Sequence, residues 1–89
     1  MDRPRIYCDF NKRFDAITYG LNTVGSRADA ERLGIELHPG LALTAYDYDA
    51  FDDGQPAWIL ADGVVVQLPS GNLAIEVEPS TFRWEPRKA

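Results

Sequence analysis

Basic residues are missing from the middle of this chain. Between Leu33 and Phe82 there is no Lys or Arg. The same stretch holds Glu36, Asp47, Asp49, Asp52, Asp53, Asp62, Glu76 and Glu78, and the net charge is −5. A surface of this sign repels a phosphate backbone, which argues against nucleic-acid binding. Cysteine is nearly absent too: Cys8 is alone, so no intramolecular disulfide can form. With one histidine, His38, there is no Cys/His spacing for zinc, and there is no glycine-rich phosphate loop. No apolar run approaches the ~20 residues of a membrane span. Met1-Asp2-Arg3-Pro4-Arg5 leads into no signal-peptide pattern. These features predict a cytoplasmic protein with no membrane partner.

Catalytic chemistry finds little to work with. A nucleophile needs a base beside it. His38 stands before Pro39-Gly40, in a turn, and Cys8 falls on the inward register of an extended segment, where a thiol is inert. No catalytic residue and no cofactor are predicted.

What is present is ordinary globular material. The chain has 89 residues, 45% apolar and 26% charged. That is enough for one domain with one core, taken as residues 1–89.

Local patterning is mostly of period two, the mark of strands. Ile6, Cys8 and Phe10 alternate with Arg5, Tyr7 and Asp9; after Asn11-Lys12-Arg13, Ile17, Tyr19 and Leu21 alternate again. The opening therefore predicts a β-hairpin. Ser26 followed by Asp29 suggests a helix start, and Gly34 a helix stop, giving one short helix near 27–33. Leu41–Asp49 reads as a strand. Ala57–Ala61 and Val64–Leu68 flank Asp62-Gly63, which is either a turn or a bulge within one long bent strand. Pro69-Ser70-Gly71-Asn72 is a turn. Leu73, Ile75 and Val77 alternate with Ala74, Glu76 and Glu78 in the cleanest strand, and Phe82 and Trp84 sit on a last extended piece. Residues 85–89 read as a flexible tail. In so small a chain, short strands at turn spacing predict a mainly β fold. The expected form is a small antiparallel barrel, SH3-like as first choice and OB-like as second, since closure removes exposed edges.

The most conspicuous segment is Tyr46-Asp47-Tyr48-Asp49-Ala50-Phe51-Asp52-Asp53-Gly54. Clustered carboxylates suit hard cations, but a calcium loop beginning at Asp47 would have Asp52 where glycine belongs and Trp58 where the bidentate Glu belongs. Ala45-Tyr46-Asp47-Tyr48 is similar to the Ala-Leu-Tyr-Asp-Tyr stretch of eukaryotic SH3 domains, which bind proline-rich peptides. That stretch opens the domain in that family, whereas only 39 residues follow Ala50 here, and Trp58 comes too soon. Tyr46 and Tyr48 share a strand face and, with Trp58, could line an aromatic groove. Tyr46, Asp47, Tyr48, Asp49, Asp52, Asp53 and Trp58 are the expected partner-binding residues.

The framework resembles small bacterial proteins of unknown function. The resemblance rests on Ile6-Tyr7-Cys8-Asp9-Phe10-Asn11-Lys12-Arg13, on Gly40-Leu41-Ala42-Leu43-Thr44-Ala45-Tyr46-Asp47, on the acidic loop ending at Gly54, and on Leu60-Ala61-Asp62-Gly63-Val64-Val65. It implies a shared fold and no assigned activity. Three functions are compatible with the residues. The first is a non-enzymatic binding or accessory domain with an acidic and aromatic surface for a basic protein partner. The second is an immunity-type inhibitor of a basic toxin or nuclease. The third is a metal-binding domain using the loop 47–53. A homodimer is compatible with all of them.

Overall fold

A computed structural model describes residues 3–87. The strands are β1 (Arg5–Tyr7), β2 (Arg13–Asp15), β3 (Thr18–Gly20), β4 (Ala42–Ala50), β5 (Pro56–Gln67), β6 (Leu73–Val77) and β7 (Arg83–Pro86). One helix, α1 (Val24–Leu33), joins β3 to β4, and a 3-10 turn at Pro79–Thr81 precedes β7. Among the described residues no helix is long and apolar enough to cross a membrane.

The sheet runs β1-β4-β5-β6-β3-β2, with β7 on β5. It is mainly β, as the patterning predicts, but it is open and mixed, not a closed antiparallel barrel. The expected opening hairpin is replaced by two separate pairings. β1 runs parallel to β4, with Tyr7 beside Tyr46, and the hairpin is β2–β3, on the far side of the sheet. Closure fails because β1, only three residues long, already has its outer edge occupied by α1. Tyr7 donates its N–H to Asp29 at 2.9 Å, and its carbonyl accepts from the Ser26 hydroxyl at 2.6 Å. A sheet edge satisfied by helix side chains needs no further strand.

The helix begins one turn earlier than Ser26 suggests. Thr23 is the N-cap, accepting from the Ser26 N–H at 3.1 Å. Ser26 and Asp29, the expected capping pair, turn to β1 instead. At the other end Gly34 adopts φ 68°, and the Ile35 and Gly34 N–H groups bond to the Ala30 and Glu31 carbonyls, the pattern of a Schellman stop.

Asp62-Gly63 is no turn. β5 continues through it, pairing with β4 up to Val64 and with β6 from Gly63 onward. A Cβ at residue 63 would overlap the Glu76 carbonyl of β6, so glycine lets the two backbones meet where β5 changes partners. The expected tail is corrected as well. Glu85 and Pro86 belong to β7, paired with Trp58 and Ala57, and the Arg87 N–H bonds to the Pro56 carbonyl at 3.0 Å. Lys88 and Ala89 lie outside the described residues.

The core forms on the inner face, from Ile6, Cys8, Leu43, Ala45, Ala61, Val65, Ile75 and Val77, with Tyr19, Leu21 and Ala30 closing its sides. Phe10 and Phe82 pack against it with their rings 5.6 Å apart. Cys8 is fully buried. Its thiol is pushed up to about 12 by burial first and then by the charges of Asp47 and Asp9, which makes it unreactive at neutral pH. Replacing Gly63 by Ala should lower unfolding free energy by about 2 kcal/mol, because a backbone oxygen cannot yield to the methyl. Val64→Ala, on the outer face, should cost clearly less. Denaturant midpoints of the two variants check this.

Candidate functional site

Residues of β1, β4 and β5 that point away from the core build a continuous aromatic surface. Registers Tyr7↔Tyr46 and Tyr48↔Trp58 put four rings side by side. Ring centroids lie 5.9 Å apart for Tyr7–Tyr46, 6.0 Å for Tyr7–Tyr48, 5.4 Å for Tyr46–Trp58 and 5.1 Å for Tyr48–Trp58. The first and third pairs meet edge to face, the favoured arrangement of quadrupoles. The Arg87 guanidinium lies over Tyr48 and Trp58, 5.2 and 5.5 Å from their centroids, in cation–π range. Tyr48 remains 59% exposed.

Two clefts adjoin the rings. One, of about 260 Å³, is lined by Arg5, Arg32, Tyr46 and Trp58. The other, of about 280 Å³, is lined by Tyr7, Gly25, Ala28, Asp29, Tyr46 and Tyr48. Tyr46 is the ridge between them. Its hydroxyl donates to Asp29 at 2.5 Å, and burial, with Asp29 next, raises its pKa well above the ordinary tyrosine value. The Tyr7 hydroxyl rises to about 12 by burial and then by the Asp47 charge. Both phenols are therefore neutral donors at physiological pH.

The expected binding residues do not all gather here. Tyr46, Tyr48 and Trp58 do. Asp47 is inward and 9% exposed; its carboxylate accepts the N–H groups of Phe10 at 3.1 Å and Tyr48 at 2.7 Å. Asp49 accepts from the Trp84 indole N–H at 2.8 Å, which lowers its pKa, with the Ala50 N–H adding to the effect. Asp52 and Asp53 sit in the exposed β4–β5 turn, where Asp53 accepts from the Gln55 N–H. Among the described residues no three His, Cys, Asp or Glu side chains converge so as to hold a metal ion. His38 is exposed and contacts the Pro39 carbonyl, far in burial from the enclosed Cys8.

Tyr7, Arg5, Arg32, Asp29 and Arg87 were not anticipated. The alternation of Arg5 and Tyr7 against Ile6 and Cys8 marks them as outward residues. Only the parallel pairing with β4 shows that they meet Tyr46. Arg5 pairs with Glu85 at 3.2 Å and Arg32 with Asp29 at 3.2 Å. No family model, curated protein or solved structure matches the chain.

Asp29 ties the site to the fold. Burial pushes its carboxyl up, and donation from the Tyr46 hydroxyl, the Tyr7 N–H and Arg32 outweighs this, so its pKa falls below the usual carboxylate value. Asp62 behaves alike: burial raises it, and the Thr44 hydroxyl and the Arg83 charge bring it below normal. A depressed folded-state pKa means the stabilisation is complete above the unfolded value of about 3.9 and is lost as pH falls through the lower folded value. Asp29→Asn should cost about 2 kcal/mol at neutral pH, the scale of hydrogen bonds to a charged group. It should also flatten the loss of stability below about pH 4. Chemical denaturation of both proteins across that acid range is the check.

Proposed function

We propose that this chain is a non-enzymatic protein-binding domain whose contact surface is the outer aromatic face of β1, β4 and β5. The observation that carries the reading is the contiguity of Tyr7, Tyr46, Tyr48 and Trp58, four rings from three strands with clefts on both sides of Tyr46. Aromatic anchors beside small clefts are the usual carriers of binding energy at protein contacts. Grooves lined by such rings take extended peptide segments. The rings also share stacking with each other, which holds them at fixed angles and lowers the entropy lost on binding.

The acidic reading survives in a narrower form. Asp52 and Asp53 project from the β4–β5 turn, so a basic partner, including a basic toxin held by an immunity-type inhibitor, would engage that turn. Asp47 is committed to backbone donors, whereas the exposed Asp49 accepts from the Trp84 indole N–H through one oxygen. The two surfaces separate by mutation. A partner retained by the wild-type protein should be lost by the pair Tyr48→Ala and Trp58→Phe and kept by Asp52→Asn with Asp53→Asn. Affinity capture at low and high salt, with mass spectrometry and a melting curve for each variant, measures this. Loss in the acid pair alone, and only at high salt in the wild type, would move the function to the turn.

A further inference from the structure

We infer that the partner segment read by this face carries a carboxylate side chain, Asp or Glu, that docks between Arg5 and Arg32 beside an apolar residue resting on Tyr46 and Trp58. This rests on the peptide-binding reading above and adds the chemistry of the ligand.

Three arginines stand on the rim of the face, two of them paired with carboxylates, although the chain as a whole is acidic. Arg5, Arg32 and Arg87 come from β1, α1 and the residue after β7, and all three border the four rings. Their hydrogen-bonding capacity exceeds what the fold uses. A guanidinium carries five N–H donors. Arg32 spends one of its nitrogens on Asp29, and its side chain is 63% exposed. Arg5 faces Glu85 at 3.2 and 3.4 Å and is 53% exposed. Arg87 gives Nε and one terminal nitrogen to the backbone carbonyls of Ala57 and Asp49, and makes no ion pair among the described residues.

The acceptors on the rim are used up by comparison. Both oxygens of Asp29 are engaged, one by the Tyr7 N–H and the Tyr46 hydroxyl, the other by Arg32. A ligand acceptor is therefore the complementary group, and the cleft of about 260 Å³ is lined by two arginines, a tyrosine and a tryptophan. Charge-assisted bonds to guanidinium are among the strong ones, and their planar geometry suits a carboxylate.

A carboxylate fits better than a phosphate. Asp29 and Glu85 stand in the same rim, each at an arginine that the ligand would share. A singly charged group meets less repulsion from them than a phosphate of nearly two charges.

The test is selection of a displayed random-peptide library on the intact protein, followed by titration of the selected synthetic peptides by fluorescence anisotropy. Enriched peptides are expected to carry Asp or Glu next to an aromatic residue or proline. Arg5→Gln and Arg32→Gln, both at exposed side chains, should each weaken binding about tenfold. Raised salt should weaken it as well. Peptides that depend on Trp58 but lack acids, or that ignore both arginine variants, overturn the carboxylate inference and leave the binding face standing. A phosphoserine peptide binding more tightly than its Glu counterpart also overturns it. If no selected peptide loses affinity in Trp58→Phe with Tyr48→Ala, the binding face itself falls. A dimer in sedimentation that this variant dissolves would give the face to a second copy and overturn the inference.

Discussion

The contact between α1 and the outer edge of β1 organises the rest of the molecule. The N–H and carbonyl of Tyr7 point away from β4, and unsatisfied they would cost the desolvation penalty of two backbone groups. Asp29 and Ser26 supply the partners. Gly25 allows the approach, because a Cβ there would lie 2.6 Å from the Tyr7 ring. Once the helix is seated, β1 cannot accept another strand on that side, and the sheet stays open. The same carboxylate then reaches the Tyr46 hydroxyl. One side chain thus sets the helix position, ends the sheet and orients the central ring of the aromatic face.

The free edges are protected by other means. β7 carries Pro86, which has no N–H to offer a new strand. β2 is three residues long, all exposed, beginning with Arg13 and ending with Asp15. Short and charged edges resist pairing with other chains. An open sheet of this size can stay discrete while leaving one face uncovered, which a closed barrel surrounded by loops would do less readily.

Much of this was legible locally. Leu73–Val77, the inward Cys8, the stop at Gly34 and the shared face of Tyr46 and Tyr48 follow from alternation and turn chemistry, which act between near neighbours. What was not legible depends on long-range pairing. Residues 5–7 have the pattern of a hairpin arm, and nothing within ten positions shows that their partner is Thr44–Tyr46. Asp62-Gly63 has the composition of a tight turn, yet the glycine serves a backbone crossing with β6. Ser26 and Asp29 have the spacing of a cap, yet Thr23 takes the cap and releases them to β1. The acidic segment divides from the aromatic residues for a local reason. Asp47 and Asp49 alternate with Tyr46 and Tyr48, so their side chains leave the strand on the opposite face.

The rim arginines also bear on how a ligand could lie. Cation–π contact at an exposed site contributes about 0.5–1 kcal/mol, too little by itself to hold Arg87 over the rings against a competitor. Its two bonds to the Ala57 and Asp49 carbonyls add to that contact. The guanidinium is therefore better described as a wall over the Tyr48 and Trp58 end than as a lid to be displaced. The open space is then the pair of clefts on either side of Tyr46, and that ridge cannot swing while Asp29 holds its hydroxyl. In an extended segment, residues i and i+2 project to the same side about 7 Å apart. Two clefts that share one ring suit such alternate side chains better than they suit a small molecule, which would require a single deep cavity.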